Sequence, residues 1–275
     1  MKNLVSIIIT TKNEQGVIAR LLESIKHQTY KKVETIIIDN HSSDKTKSIA
    51  KKFTKKVFTA GPERSAQRNF GAKKAKGEYF LFLDADMELS SKVVEKCVQA
   101  IHITKKGLMV VIPEQSIATR YWERVKAYER SFCNESGDND IEAARFFRAT
   151  DFKNIGGYDQ KITGPEDWDL PERRKKLGIK TTRIKEVIYH HERIKSVWEL
   201  ARKKYYYGLK ANTYMKSNNV SVISPKTIYL LRPIFYKQWR KLLSHPLMSL
   251  SMFLMLSVEQ FMGGWGYLRG RHKSI

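Results

Sequence analysis

The segment Gly77–Met87, GEYFLFLDADM, constrains the possible folds of this chain more than any other part of the sequence. Its apolar run, Tyr79–Leu83, is bounded by glycine and polar residues, which predicts a short buried strand at Tyr79–Asp84. The run ends on two acids, Asp84 and Asp86. Ligands of open α/β sheets bind beyond the carboxyl ends of the strands. Two carboxylates there can share a divalent cation, Mg2+ or Mn2+, although acidic turn residues after strands are also common.

Strands and helices alternate along the first part of the chain. Runs of β-branched residues at Leu4–Thr10 and Val33–Asp39 predict strands, and apolar residues at helical spacing between them predict a helix. A short third strand is predicted at Val57–Phe58. This alternation is typical of an α/β fold with a mostly parallel central sheet flanked by helices. Later strands are predicted at 108–113, 142–148, 181–184 and 187–189, and later helices at 91–101, 119–132 and 173–177.

Small polar residues follow the second predicted strand, in the order Asp39-Asn40-His41-Ser42-Ser43-Asp44. They suit a loop, and a carboxylate in this loop can accept hydrogen bonds from the N–H edge of a nucleotide base. The alternative is that Asp39 and Asp44 only form the turn and cap the next helix, because short acids are favoured turn formers. Both interpretations stay open at this point.

Two further polar clusters carry groups suited to chemistry. Arg64, Arg68 and Asn69 lie on one predicted helix, where they can meet phosphate or solvent. The second cluster, Glu166-Asp167-Trp168-Asp169, immediately precedes a basic helix. Its acids can complement the helix dipole, or one of them can act as a general base beside an aromatic wall.

The charge of the chain is strongly basic and unevenly distributed. The 275 residues carry a net charge of +23, and residues 171–275 hold 22 Lys and Arg against five Asp and Glu. We therefore expect a polyanionic partner, which can be nucleic acid, an anionic membrane surface or a phosphorylated substrate. The hydrophobic content of 41% fits one large α/β domain with an appendage rather than a disordered chain.

Cysteine usage and the first residues favour a cytoplasmic protein. Cys97 and Cys133 lie far apart and form no C-x-x-C spacing, so a disulfide scaffold and a zinc ribbon are poor interpretations. Residues 1–3 run directly into the first predicted strand, and that apolar run is too short for a signal peptide.

The motifs, taken in order, resemble the inverting family 2 glycosyltransferases of the GT-A fold. The resemblance covers roughly residues 4–210. Each motif is weak alone, but their occurrence together and in order makes chance improbable. The matching segments are Thr10–Glu14, Ile38–Asp44, Arg64–Asn69, Asp84–Asp86, Gly156–Asp159 and Glu166–Asp169.

The resemblance implies a nucleotide pocket at the ends of the first strands. Thr11, Asn13 and Glu14 would line this pocket, and Asp39 would bind the base. Many members of the family carry an aromatic residue between the Thr and the Asn of the first motif. This chain departs from that pattern with Lys12.

The resemblance also implies roles around the diphosphate of a nucleotide sugar. Arg68 and Asn69 would lie near the diphosphate, Asp84 would face the ribose and the metal, and Asp86 would bind the metal, which is Mn2+ or Mg2+. The cation would neutralise the charge that develops on the leaving diphosphate.

The Glu166–Asp167 pair matches the catalytic position of the family, with Asp167 as the base. Such a base deprotonates an acceptor hydroxyl, which attacks the anomeric carbon in line as the nucleotide leaves, so the expected outcome is inversion. In this fold a histidine after the last strands often approaches the metal or the diphosphate, and His190 fits that position better than His191. The alternative is that both are partly exposed loop histidines.

Residues 194–209 place an apolar and aromatic face at helical spacing, with basic residues distributed around it. This pattern indicates a helix at a membrane interface, with core packing as the alternative. Leu247–Val258 is uncharged, Glu259 interrupts it, and Phe261–Leu268 follows. A spanning helix needs about 20 mainly apolar residues. We therefore expect two amphipathic helices embedded in one leaflet, in preference to a span or a buried core. Residues that suit the headgroup level are Trp265, Tyr267, Arg269 and Arg271.

The resemblance implies a GT-A catalytic domain at 1–215, and the basic C-terminal sequence predicts an amphipathic helical membrane-association region at 216–275. The expected function is transfer of a sugar from a nucleotide diphosphate sugar to a lipid-linked or cell-surface glycan acceptor, at the cytoplasmic face of the cell membrane, as a peripheral or monotopic protein. One alternative is a non-catalytic relative that binds nucleotide sugar. Another is a basic nucleic-acid-binding protein, although we expect no specific nucleic acid partner.

Overall fold

The computed structural model describes residues 3–103, 107–136, 145–162, 166–217, 221, 224 and 227–272. Within these ranges the side chains at 135, 136, 145, 167, 168, 213, 216, 217 and 272 are not described. The chain forms two compact units: the first comprises residues 1–115, 138–160 and 166–191, and the second comprises residues 116–137, 161–165 and 192–275. The predicted domain boundary after residue 215 stays a prediction. It differs from the division between these units, because the second unit also takes in 116–137 and 192–215.

Ten strands occur in the described residues. They are β1 (Val5–Thr11), β2 (Val33–Asp39), β3 (Val57–Thr59), β4 (Tyr79–Asp84), β5 (Met87–Leu89), β6 (Leu108–Val111), β7 (Glu114–Ile117), β8 (Arg145–Arg148), β9 (Lys180–Arg183) and β10 (Ile188–His191). The main sheet has the order β3-β2-β1-β4-β8-β6-β9, and a small sheet has the order β5-β10-β7. The beginning of the predicted strand 142–148 lies outside the described residues.

The main sheet is mostly parallel, as predicted. β1 pairs in parallel with β2 and β4, β2 with β3, and β6 with β9. β8 is antiparallel to both of its neighbours, β4 and β6. The helices of the first unit are α1 (Ile18–Lys26), α2 (Thr46–Ala50), α3 (Arg64–Lys74), α4 (Val93–His102), α6 (Ala149–Asn154) and α7 (Glu166–Lys176).

The apolar runs of the sequence form strands that are buried on both faces. Every residue of β1 is buried, and alternate side chains enter different clusters. Ile7 and Ile9 pack into the larger cluster, while Ile8 packs into the smaller one on the opposite face. Burial on both faces explains why the run is continuously apolar instead of alternating with polar residues.

Helix α3 lies directly on β1 and β2. A Cβ atom on Gly71 would lie 2.4 Å from Cγ2 of Ile8, so only glycine permits this close approach. The buried side chain of Gln67 donates hydrogen bonds from Nε2 to the backbone oxygens of Thr11 and Ile38, at 3.2 and 2.7 Å. These contacts fix α3 beside the carboxyl ends of the central strands.

The second unit is a helical bundle. Its helices are α5 (Tyr121–Ser136), α8 (Val197–Ser217), α9 (Pro233–Lys237), α10 (Trp239–Ser244) and α11 (Pro246–His272), with one 3-10 turn at Tyr229–Leu231. Its core is a cluster of buried apolar side chains: Val125, Phe132, Ile194, Leu200, Phe235, Met252, Met255 and Leu256. Of the apolar face predicted at 194–209, Ile194 and Ala201 are buried, whereas Trp198 is 68% exposed.

The prediction of two helices separated near Glu259 is wrong, because α11 continues through this residue to His272. The Glu259 side chain is 1% exposed, and its two oxygens lie 3.4 Å from Nζ of Lys126 and 3.2 Å from Nζ of Lys204. Lysines from α5 and α8 therefore balance the buried charge, and the helix needs no break to expose it. Among the described residues, α11 is the one helix long and apolar enough to cross a membrane.

Helices α8 and α11 approach each other at glycine positions. A Cβ atom on Gly208 would lie 2.2 Å from the backbone oxygen of Gly263, and one on Gly266 would lie 2.2 Å from that of Tyr205. Gly270 stands equally close to the backbone oxygen of Leu209. Small residues that recur at such spacing let two helix backbones pack closely.

We predict opposite effects for two glycine substitutions in α11. Gly266→Ala lowers the free energy of unfolding by about 2 kcal/mol, because the added methyl group overpacks the contact with α8. Gly264 has no atom within 4 Å of an added Cβ, so Gly264→Ala raises stability by up to about 1 kcal/mol through helix propensity. Denaturant unfolding of both variants measures the difference; equal effects would contradict the close packing.

Candidate active site

Asp84, the last residue of β4, is held between two arginines of α3. Its Oδ1 lies 3.1 Å from an Nη atom of Arg68 and accepts a hydrogen bond from Thr10 Oγ1 at 3.3 Å. Its Oδ2 lies 3.8 Å from an Nη atom of Arg64. Burial raises the pKa of Asp84, but the guanidinium groups of Arg68 and Arg64 outweigh burial and hold the pKa below its ordinary value. The carboxylate is therefore ionised at neutral pH.

Arg68 is almost fully buried. Its guanidinium carbon lies 4.9 Å from the centre of the Tyr158 ring, a cation–π contact, and the side chain is 2% exposed. This arginine is thus a fixed part of the site, whereas Arg64 is 37% exposed and can also meet a ligand. Arg68 therefore pairs with Asp84, and its predicted role toward a diphosphate stays a prediction.

Arg64 connects the end of β4 to the start of α7. A second Nη atom of Arg64 lies 2.9 Å from Oε1 of Glu166, whose side chain is 3% exposed. The other oxygen of Glu166, Oε2, is buried and has no hydrogen-bond partner among the described residues. Because a buried carboxylate oxygen without a partner is costly, this atom is suited to accept a hydrogen bond from a ligand.

The predicted base, Asp167, lies in the first turn of α7, but its side chain is outside the described residues, as is that of Trp168. The third acid of the cluster, Asp169, forms an ion pair at 2.7 Å with Arg173, four residues further along the helix. Arg173 also donates to the backbone oxygen of Ile155 at 2.7 Å. Asp169 and Arg173 therefore attach α7 to the segment after α6.

Asp86 faces His190 across the small sheet. Met87 pairs with His190 in the register of β5 and β10, and His191 donates its backbone N–H to the backbone oxygen of Asp86 at 3.1 Å. Nε2 of His190 lies 3.4 Å from Oδ2 of Asp86, and Nδ1 lies 3.3 Å from Oε2 of Glu114. A carboxylate on the other ring nitrogen is the usual arrangement around a metal-binding histidine, because it orients the ring.

These residues fit a divalent cation in part. Two ligand atoms bound at right angles, each about 2.1 Å from an ion, are about 3 Å apart. This is close to the observed 3.4 Å between Oδ2 of Asp86 and Nε2 of His190. Carboxylate and imidazole are suitable donors for Mn2+. Among the described residues, no three His, Cys, Asp or Glu side chains are gathered as ligands of one ion. Further ligands would come from water and a bound diphosphate.

The side chain of His191 contacts Glu88 instead of Asp86. Its Nε2 is 2.8 Å from Oε2 of Glu88, and this glutamate also lies 4.0 Å from Nε of Arg20. His190, the residue preferred from the sequence, is thus the histidine beside Asp86.

The predicted base-binding residue, Asp39, is fully buried at the end of β2. Its carboxylate accepts hydrogen bonds from Thr11 Oγ1 at 3.0 Å and from the backbone N–H of Ser42 at 2.9 Å. The side chains of Thr11 and Asp39 therefore bond to each other and hold the loop after β2. These contacts stabilise the turn after β2, and the predicted roles of Thr11 and Asp39 toward a nucleotide stay predictions.

Asn13 and Glu14 also bind this loop. Oδ1 of Asn13 accepts a hydrogen bond from the backbone N–H of Ser43 at 2.9 Å, and Asn13 has a positive φ of 56°, which asparagine tolerates. The backbone N–H of Glu14 donates to Thr46 Oγ1 at 2.7 Å. Asp44 accepts from the backbone N–H of Thr46 at 3.0 Å, so it stabilises the start of α2 as expected for a turn-forming acid.

Asn69 contacts the backbone of Tyr158. Its Nδ2 donates to the Tyr158 oxygen at 2.7 Å, and its Oδ1 accepts from the Tyr158 N–H at 2.9 Å. A Cβ atom on Gly157 would lie 2.7 Å from that Oδ1, and Gly157 has a positive φ of 69°. The Gly156-Gly157-Tyr158 motif is thus explained by the close approach of Asn69, whose predicted position near a diphosphate stays a prediction.

The sequence did not indicate two residues of this site, Glu114 and Gln67, nor the contact of Arg64 with Glu166. Glu114 lies on β7, far from the motifs in sequence, and only the small sheet brings it to His190. Gln67 lies inside a recognised motif, but no spacing rule indicates that its amide binds two strand ends.

We predict that Arg64 and Glu166 are energetically coupled. In a double-mutant cycle with Arg64→Ala and Glu166→Ala, the coupling free energy is about 1 to 3 kcal/mol, because Glu166 is buried. The control pair Arg20–Glu88 is 4.0 Å apart with side chains 44% and 36% exposed, so its coupling is below about 0.5 kcal/mol. Denaturant unfolding measures both cycles, and equal values would contradict the proposed link between α3 and α7.

Comparisons with known proteins point to one family. The family model described as glycosyl transferase family 2 matches residues 6–157. A Campylobacter jejuni protein named GalNAc(5)-diNAcBac-PP-undecaprenol beta-1,3-glucosyltransferase is 34% identical over 104 residues, which are 34% of this chain and 33% of that protein. An uncharacterized glycosyltransferase of Rickettsia typhi is 26% identical over 203 residues, or 69% of this chain and 62% of that protein. The alignments therefore span between a third and about three fifths of these relatives.

Solved structures share the fold. Staphylococcus aureus TarS 1–349 in complex with UDP has a TM-score of 0.56 at 16% identity, covering 98% of this chain and 91% of that one. The mannosyltransferase PcManGT from Pyrobaculum calidifontis, in complex with GDP-Man and Mn2+, has a TM-score of 0.57 at 15% identity, covering 99% and 74%. These likenesses confirm the predicted GT-A fold. With a family model that matches more than half of its residues, the chain belongs to glycosyl transferase family 2.

Proposed function

We propose that this protein is a metal-dependent inverting glycosyltransferase that moves a sugar from a nucleotide diphosphate sugar to a lipid-linked or cell-surface glycan acceptor. The observation that carries this proposal is the arrangement at the end of β4. There, Asp84 is held by two arginines of α3, and Asp86 lies opposite His190. Cationic groups and a metal-binding pair in one place suit the diphosphate of a donor.

The donor would bind over the carboxyl ends of β1, β2 and β4. Arg64 is partly exposed and carries a planar guanidinium that suits phosphate oxygens. Thr11, Asn13, Glu14 and Asp39 hold the neighbouring loop, and we assign them to the nucleotide pocket because they lie at the carboxyl ends of β1 and β2. The structures of S. aureus TarS with UDP and of PcManGT with GDP-Man carry nucleotides on this fold, so a nucleotide diphosphate sugar is the ligand class we assign.

Asp86 and His190 would hold the cation, with Asp84 facing it from β4 and Glu114 orienting His190. Mn2+ or Mg2+ bound there would neutralise the negative charge on the leaving diphosphate. The buried arginine Arg68 keeps Asp84 ionised, so the site offers negative charge to a cation at neutral pH.

Asp167 would be the catalytic base and would remove the proton from the acceptor hydroxyl, which then attacks the anomeric carbon on the face opposite the leaving group. Glu166 would support this step by fixing the first turn of α7 through Arg64. Attack opposite to the leaving group inverts the configuration at the anomeric carbon. A positioned base of this kind contributes roughly 10²- to 10⁴-fold to a rate.

The acceptor is assigned from relatives and from the C-terminal helix. The Campylobacter relative, and an Escherichia coli relative that is 40% identical over 90 residues, are both named as acting on undecaprenol-linked diphosphates. The exposed apolar residues of α11 also favour a protein that works at a membrane, where a lipid-linked acceptor is found. We place the protein at the cytoplasmic face of the cell membrane.

We predict that two substitutions separate the metal role from the base role. Asp86→Ala lowers transfer at least about 100-fold and weakens Mn2+ binding, whereas Asp167→Asn lowers transfer about 10²- to 10⁴-fold and leaves Mn2+ binding unchanged. The control Glu23→Gln changes an acid on α1 that is 48% exposed and leaves both properties unchanged. Product mass after a screen of nucleotide sugars measures transfer; full activity in both site variants would contradict the proposal.

A further inference from the structure

The second unit exposes a continuous apolar stripe along α11. Leucines and aromatic residues recur at intervals of three, four or seven residues, and their exposed fractions range from 51 to 76%. They are Leu247, Leu250, Leu254, Phe261, Trp265 and Leu268. The spacing places them on one side of the helix over about 32 Å of its length.

The opposite side of α11 is covered by α5 and α8. Tyr121 and Tyr128 of α5 bond to Ser251 and Ser249 of α11 through their hydroxyl groups, at 2.5 and 3.0 Å. Further along, Glu259 pairs with lysines of both covering helices, and the glycines up to 270 pack against α8. From Ser249 to Gly270, therefore, α11 has a protein-covered side and an uncovered apolar side.

The covering helices carry exposed charges. Arg124 on α5 and Glu199, Arg202 and Lys203 on α8 are all exposed. If α11 crossed a bilayer, α5 and α8 would lie beside it within the hydrocarbon, and their charged side chains would enter lipid. Each charge near the middle of a bilayer is costly, so this arrangement favours a position of α11 in one leaflet over a span.

The apolar stripe is flanked by positive charge. In the described parts of α9, α10 and α11, all exposed charged residues are cations: Lys237, Arg240, Arg269 and Arg271. The one acid in these helices, Glu259, is buried and paired with lysines. Basic residues beside an exposed apolar face match the headgroups of anionic lipids.

We propose that α11 lies in the plane of one leaflet, with Leu247, Leu250, Leu254, Phe261, Trp265 and Leu268 in the acyl region and the flanking cations at anionic headgroups. This inference rests on the proposed function for its biological purpose, a lipid-linked acceptor. The observations that support membrane binding come from the second unit alone. Of the fifteen large apolar side chains that are exposed among the described residues, thirteen belong to this unit. The first unit contributes only Ile103 and Leu177 to that set.

Vesicle flotation of the full chain tests the docking surface. We expect the protein to float with vesicles of phosphatidylcholine mixed with phosphatidylglycerol and to float at least about tenfold less with phosphatidylcholine alone. The double variant Leu250→Glu/Leu254→Glu loses flotation at least about tenfold, because it places two acids in the stripe. The matched control is Leu177→Glu in the first unit, where the leucine is 54% exposed, and it floats like the unchanged protein.

Cysteine labelling of vesicle-bound protein tests the orientation. Ser244 and Arg271 are exposed and lie beside the two ends of the stripe, whereas the native cysteines Cys97 and Cys133 are buried. An impermeant maleimide added outside the vesicles labels Ser244→Cys and Arg271→Cys equally if the helix lies in one leaflet. Protection of Arg271→Cys alone would show a span and overturn the inference.

Two other measurements keep this inference separate from the proposed function. Hydrolysis of a nucleotide sugar in solution, without vesicles, reports the catalytic site, and we expect Leu250→Glu/Leu254→Glu to retain it. If the unchanged protein floats with the vesicles but hydrolyses no nucleotide sugar, only the proposed function is overturned. Sedimentation as a dimer that does not float would assign the stripe to a second copy of the chain and overturn the membrane inference.

Discussion

The ion pairs between Asp84 and the arginines of α3 are the interactions on which the candidate site depends. Arg68 is buried, so its charge needs a partner, and Asp84 at the end of β4 supplies it. Arg64 extends the same contact to Glu166 at the start of α7. Three elements that are distant in sequence are therefore held by charges that also suit a diphosphate. The proposed function would therefore use the same charged groups that hold these elements together.

Much of the fold was predictable from the sequence, because burial on both faces of a central sheet leaves a strong pattern. The strand Tyr79–Asp84 was predicted with its observed bounds, and the first two strands were predicted within one residue. The acids at the end of β4 were also predictable as candidate site residues, since such side chains converge at the carboxyl ends of strands. The place of His190 near them was implied only by the family resemblance. The order of short motifs added the family.

The rest depended on tertiary contacts that leave no local pattern. The sequence predicts a break in the apolar helix at Glu259, but lysines from two other helices bind this residue, and neither lysine is near it in sequence. Likewise Glu114 reaches His190 only through the small sheet. Asp39 and Asn69 illustrate a different limit: their residue types suit both ligand binding and local structure, and the contacts of each with the neighbouring backbone became visible only in three dimensions.

The central claim is that Asp86 and His190 hold a divalent cation beneath the leaving diphosphate. The most direct test is an anomalous-scattering map from crystals of this protein grown with Mn2+ and a nucleoside diphosphate. We predict one manganese peak within about 2.3 Å of both a carboxylate oxygen of Asp86 and Nε2 of His190, in contact with a phosphate oxygen. A bound diphosphate without manganese at these two side chains, or manganese bound elsewhere, would contradict the account.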